Sequence, residues 1–140
     1  MIGVRASTIF ICYRRDDSAR YANRLKSLLD SKLSRHGVFM DLEIQPGDRF
    51  VERVKGAIST CKVLLVLIGP RWLNATDEHG RRRLEDERDF VRLEIAMALE
   101  RDVVVIPVLV GGGEIPKAHE LPDELVPLIE RTAIRIRDDR

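Results

Sequence analysis

Apolar positions along this chain fall into two alternating rhythms. Thr8-Ile9-Phe10-Ile11-Cys12-Tyr13 is a short β-branched apolar run, which predicts a strand buried on both faces. Arg14-Arg15-Asp16-Asp17-Ser18 ends it and places Asp17 or Ser18 to cap a helix. Tyr21, Ala22, Leu25, Leu28, Leu29 and Leu33 then keep helical spacing up to His36-Gly37, where the glycine suits a stop. Val38-Phe39-Met40 predicts a second strand ending at Asp41. Pro46-Gly47 marks a turn, and Asp48 is placed to cap a helix carrying Val51, Val54 and Ile58. Residues 62–68 give the clearest strand, stopped by Gly69-Pro70. A polar stretch over 71–88, with Trp72 and Arg81-Arg82-Arg83, predicts a functional or mobile loop without regular structure. Beyond it the pattern predicts a helix over 89–99 and a strand over 103–109. A loop with Gly111-Gly112-Gly113, a helix over 122–131 and a strand over 133–136 complete the chain.

Strands alternating with amphipathic helices imply an α/β domain whose parallel sheet is covered on both faces. Right-handed crossovers leave few topologies for five strands. The expected architecture is a flavodoxin-like three-layer sandwich with strand order 2-1-3-4-5. In such sheets ligands bind outside the carboxyl ends of the strands, near the switch in strand order. That edge would gather Tyr13, Arg14 and Arg15, Asp41 with its loop, and the segment from Gly69 to Trp72.

The predicted helix over 89–99 carries the one position that breaks its own pattern. At 3.6 residues per turn, Phe90, Val91, Ile95, Met97 and Ala98 share an apolar arc, while Asp89, Arg92 and Glu100 fall on the opposite side. Glu94 lies inside the arc. A carboxylate on a packing face is costly to desolvate unless it is paired or faces a cleft. The pattern leaves both alternatives open: a buried ion pair with one of the many arginines, or an acid at a ligand site.

Composition narrows the classes. With 140 residues the chain fits a single domain able to bury a real core. Its 24 basic and 23 acidic residues nearly cancel, which gives no electrostatic argument for nucleic acid or an anionic membrane. The apolar runs are too short to span a bilayer, and the first residues lack the apolar core of a signal peptide. A cytoplasmic protein is the expectation. Cys12 and Cys61 adjoin apolar runs without metal-ligand spacing, so buried free thiols are expected. The three histidines, His36, His79 and His119, also lack ligand spacing, and neither a metal site nor a nucleophilic triad is expected. Arg81-Arg82-Arg83, mixed with acidic neighbours, reads as a solvated face. Gly111-Gly112-Gly113 lacks the strand–GxGxxG–helix context of a phosphate cradle and reads as a flexible loop.

Taken together, several segments resemble the Toll/interleukin receptor (TIR) domain, bacterial members above all. They are Ile9-Phe10-Ile11-Cys12-Tyr13-Arg14-Arg15, Val38-Phe39-Met40-Asp41, Ile44-Gln45-Pro46-Gly47-Asp48, the run from Val63 to Trp72, Phe90-Val91-Arg92-Leu93-Glu94-Ile95, and Val105-Ile106-Pro107-Val108. The resemblance implies the same five-stranded sheet. It also implies an activity, because some TIR domains cleave NAD between nicotinamide and ribose. They use a glutamate four residues after an aromatic one, a pattern that falls here on Phe90 and Glu94. The commonly quoted aromatic is Trp; Phe90 keeps a ring face and lacks the indole donor. The implied glutamate works alone, because nicotinamide in NAD is already a cationic leaving group and needs no protonation, unlike the leaving group of an ordinary glycoside.

On this reading NAD is a substrate and no cofactor is required. Arg14 and Arg15 would face the pyrophosphate, since a guanidinium matches phosphate oxygens. Tyr13, Trp72 and Phe90 are candidates to stack on a base, and Asp41 to hold a ribose hydroxyl. Each has a plainer role open to it: neutralising Asp16, Asp17 or Glu94 for the arginines, covering the sheet edge for Trp72, starting a turn for Asp41. The loop of Ile44, Gln45, Pro46, Gly47 and Asp48 matches the one that in the family gates the pocket and makes contacts between copies. The resemblance therefore implies a signalling or defence effector, activated by self-association or by another domain of the same protein. The alternative is a non-enzymatic interaction module. TIR chains usually carry one more helix after the fifth strand, so a fragment of a larger protein is the expectation for residues 1–140.

Overall fold

The computed structural model describes residues 7–32, 37–39 and 49–137. Five strands form one parallel sheet: β1 (Ser7–Cys12), β2 (Gly37–Phe39), β3 (Val63–Ile68), β4 (Val104–Leu109) and β5 (Ile134–Arg135), in the order β2-β1-β3-β4-β5. The helices are α1 (Arg15–Lys32), α2 (Phe50–Ser59) and α3 (Phe90–Leu99). The expected α/β sandwich and its strand order are those observed.

Alternation along the strands sorts the core into two layers. Phe10 and Cys12 of β1, Leu64, Val66 and Ile68 of β3, and Val105 and Leu109 of β4 face a layer that also buries Val54, Ile58, Trp72, Leu84 and Ile95. Ile11, Leu67 and Val108 face the opposite layer, against Tyr21 and Ala22 of α1. β1, β3 and β4 are apolar on both faces because each face is covered.

β4 explains why β5 is shorter than the expected 133–136. The amides of Val104 and Val110 both donate to the β3 side, at 2.9 and 3.0 Å, so even-numbered amides of β4 face β3 and odd-numbered ones face β5. Pro107 falls on the β5 side, where it has no N–H to give. The β4–β5 pairing is confined to Val108↔Ile134 and Leu109↔Arg135.

Three other expectations are corrected. Residues 122–131 do not form an α-helix; Asp123–Glu130 is 3₁₀, with Pro127 inside it. A proline at that point removes an α-helical donor and clashes with the preceding turn, so the chain closes on shorter i→i+3 bonds such as Leu125 N–H to Pro122 O at 2.9 Å. Asp17 does not cap α1: its carboxylate accepts from the backbone amides of Gly69 (2.9 Å) and Arg71 (2.7 Å), capping the end of β3 instead. α1 is broken at Ser18 (φ −145°, ψ 23°), whose buried hydroxyl has no hydrogen-bond partner among the described residues.

The long segment over 71–88 is structured rather than loose. Trp72 and Leu84 are wholly buried and anchor its two ends. Between them Thr76 and Arg82 form an antiparallel bridge, and the Asp77 carboxylate closes a turn on the amides of His79 and Arg81. Those bonds, the one to Arg81 first, hold the Asp77 carboxyl below its ordinary range. Arg82 and Arg83 correct the expectation of a solvated face. Arg82 donates to the backbone oxygens of Leu73 and Glu120, and Arg83 to that of Thr76. The glycine loop is likewise specified by shape. Gly111 and Gly112 hold φ of +59° and +89°, and a Cβ on Gly113 would lie 2.1 Å from the Ile68 carbonyl oxygen. Asp41, the Asp48 cap and the loop over 44–48 lie outside the described residues.

Candidate functional site

At the carboxyl end of β1 the chain opens a cleft of about 630 Å³, a volume in the range of small-molecule sites. β1 and the start of α1 supply one wall, with Tyr13, Arg14, Arg15 and Asp16. The start of α3 supplies the floor, with Phe90, Val91 and Glu94. The outer wall is the long segment, which contributes Asp77, Arg83, Asp86, Arg88 and Asp89.

Local chemistry places the first turn of α3. Asp89 is its N-cap: the Asp89 carboxylate accepts from the Arg92 amide at 3.0 Å. The same carboxylate takes both terminal nitrogens of Arg14, at 2.9 and 2.7 Å. This bidentate pair is nearly dry, with side-chain exposures of 3% for Arg14 and 10% for Asp89. Arg92 then ties the outside of the turn to the Leu84 carbonyl and to the Glu124 carboxylate. Helix α3 therefore begins where β1 ends, and its register is held from both sides.

Glu94, one turn further on, is 7% exposed and lines the cleft. Its charge acts on the buried Cys12 of β1. Burial first, and then the charge and hydrogen bond of Glu94, push the Cys12 thiol well above its ordinary range. Cys12 thus stays a protonated thiol at neutral pH. Cys61, at the turn into β3, is also a buried free thiol; burial pushes it up to about 11.

Five of the residues singled out in the sequence meet here: Tyr13, Arg14, Arg15, Phe90 and Glu94. Trp72 is elsewhere, wholly buried in the layer with Leu84 and Ile95. Arg14 reaches the cleft wall with its fork already on Asp89. The sequence reading missed Arg83, Arg88, Asp89 and Cys12. A signal existed for Cys12 and Arg14: period-2 alternation puts residues 10, 12 and 14 on one side of β1, the side on which α3 packs. Arg83 and Arg88 carried none, because only the fold of the long segment brings them to the cleft. Among the described residues no cluster of three or more His, Cys, Asp or Glu side chains is arranged to hold a metal ion, and no helix is long and apolar enough to cross a membrane.

Three comparisons bear on this site. The NAD(+) hydrolase sarm1 of Drosophila melanogaster is 27% identical over 117 residues, covering 84% of this chain and 8% of that protein. The chain thus spans less than a tenth of the curated relative it matches. In three dimensions, the TIR domains of the activated Roq1 resistosome that recognises the effector XopQ superpose with a TM-score of 0.58 at 16% identity, over 89% of this chain and 70% of that one. The TIR domain of the Toll-related receptor TRR-2 from Hydra magnipapillata gives 0.53 at 20% identity, over 77% and 74%. The family model of the TIR domain matches residues 9–139, nearly the whole sequence. This chain belongs to the TIR-domain family.

Proposed function

We propose that this TIR domain is an NAD+ glycohydrolase, with Glu94 as its catalytic carboxylate. The observation that carries the reading is one acid, almost fully buried, set at the floor of a nucleotide-sized cleft one turn after an aromatic residue. The relationship to a protein named as an NAD(+) hydrolase supports it.

The chemistry needs little more. The C–N bond between ribose and nicotinamide breaks, and nicotinamide leaves with the bonding electrons as a neutral molecule. Positive charge builds on the ribose as this happens. A fixed anion in a water-poor pocket stabilises that charge, and preorganised groups of this kind are each worth about 3–4 kcal/mol. Water then adds to the ribose carbon and gives up one proton, leaving ADP-ribose; capture by a group of the substrate itself gives a cyclic isomer. Glu94 is the anion. The rings of Phe90 and Tyr13 offer stacking faces. Arg15, Arg83 and Arg88 line the cleft together with Arg14, whose fork is held by Asp89, and supply guanidinium groups for the pyrophosphate. NAD+ is the substrate and no separate cofactor takes part. Activity depends on contacts between copies, which assemble the effector in a signalling or defence response.

The test is nicotinamide release by concentrated protein, wild type against Glu94→Gln. Gln keeps the shape and removes the charge, so the rate should fall by at least about 100-fold. Equal rates would remove Glu94 from the reaction. No release by wild type in any assembled form would leave the domain an interaction module without catalysis.

A further inference from the structure

Arg83 stands on the outer wall of the cleft with one end fixed and the other loosely held. Its amide donates to the Ala75 carbonyl at 2.8 Å, and its Nε donates to the Thr76 carbonyl at 3.1 Å. The antiparallel bridge between Thr76 and Arg82 holds both acceptors in place. The guanidinium therefore stays on the wall when its terminal nitrogens change partner. One of those nitrogens, Nη2, lies 3.6 Å from Oδ2 of Asp16, in the first turn of α1. The two form an ion pair too long to be a hydrogen bond. Both residues line the cleft, so the pair joins its two walls.

Other acids of the cleft are committed differently. The carboxylates of Asp77, Asp86 and Asp89 each accept from a backbone amide, and so shape turns and a helix cap. The Asp16 side chain is 70% exposed, and its partner among the described residues is Arg83. An exposed pair of this length is weak in water. A phosphate offers a guanidinium more negative charge and shorter, better-aligned bonds than one distant carboxylate oxygen.

We propose that Arg83 and Asp16 are an exchangeable pair that sets the affinity for the substrate's pyrophosphate: Asp16 holds the outer end of Arg83 in the empty cleft, and a bound dinucleotide takes that end over. The inference rests on the cleft binding NAD+. A ligand that needs a displaced partner binds with an affinity reduced by the fraction of sites already competent. Asp16 therefore weakens binding through Arg83, and its effect has no route once Arg83 is gone.

ADP-ribose is the probe, because it carries the pyrophosphate and lacks the bond to nicotinamide. Calorimetric titrations at low salt compare wild type, Asp16→Asn, Arg83→Gln and the double variant. Asp16→Asn should bind about three- to fivefold more tightly, the upper range for an exposed pair. Arg83→Gln should bind about tenfold more weakly, as loss of a charged donor requires. In the double variant the gain from Asp16→Asn should vanish. An Asp16 that only repels phosphate gives the same gain with or without Arg83, and that result overturns the proposal. An equal gain for adenosine, which has no phosphate, overturns it too, as does absence of ADP-ribose binding by all four proteins. If Arg83→Gln fails to fold, Arg83→Met completes the same cycle. In nicotinamide release the gain of Asp16→Asn should appear chiefly in KM. The titrations need no turnover. Coupling between the two residues without any nicotinamide release overturns the glycohydrolase reading and keeps the pair; nicotinamide release without coupling overturns the pair and keeps that reading.

Discussion

Asp89 does two things with one carboxylate: it caps α3 and it neutralises Arg14 in a nearly dry pocket. Removing it leaves a buried guanidinium without a counter-charge and a helix end without its acceptor. Truncating one partner of such a pair typically costs about 3–5 kcal/mol. Asp89→Ala should therefore lower the urea midpoint by an amount equal to several kcal/mol. Asp89→Asn, which keeps an acceptor for the Arg92 amide, should lose less. A loss under about 1 kcal/mol for Asp89→Ala would mean that water screens the pair as it does at a surface. The same residue marks where sequence reading stops. Glu94 was legible because it interrupts the apolar arc of its own helix. The partner of Arg14 was not, because 75 residues separate Arg14 from Asp89 and the intervening sequence offers many nearer carboxylates.

At the scale of elements, the strands were the most legible part, since an apolar run flanked by turn residues has few other uses in a covered sheet. Residues 122–131 misled because apolar spacing survives across Pro127 while the α-helical hydrogen bonds do not. The glycines misled for the opposite reason: their sequence says freedom and their surroundings say contact. Two of them make a paired prediction. Gly56 sits in α2, exposed, and a Cβ there would meet nothing within 4 Å. Gly56→Ala should stabilise the domain by about 0.5–1 kcal/mol, because alanine loses less backbone freedom on entering a helix. Gly113 is packed against the end of β3, where a Cβ would lie 2.1 Å from the Ile68 oxygen and 2.8 Å from the Gly69 Cα. Gly113→Ala must push the loop after β4 away from β3, and should cost at least about 3 kcal/mol or abolish folding. Thermal melts of the two variants check both signs. Equal effects would show that the loop yields to a methyl group and is not held by this contact.

Across the whole molecule, the layer between the sheet and α2–α3 contains both thiols, and this links the pH dependence of folding to the site. Cys12 is pushed well above the ordinary 9.0, and Cys61 up to about 11. In the unfolded chain both thiols ionise near 9.0. The folded state therefore holds more protons than the unfolded state once the pH passes that value. Stability falls with pH wherever the folded state binds the extra proton, by up to about 1.4 kcal/mol per pH unit for each group. The contribution is fully present below pH 9 and is lost as pH rises, for Cys61 through about 11. Urea midpoints should thus be level between about pH 7 and 8.5 and fall above 9, with the fall shallower in Cys61→Ala. A curve of the same steepness in both proteins would show that Cys61 ionises in the folded domain as readily as in water and that other groups cause the alkaline loss. The physical cause is the dry packing of the layer that holds both thiols. A fall that is steeper in wild type than in Cys61→Ala is therefore the stability counterpart of the site's geometry, measured without any substrate.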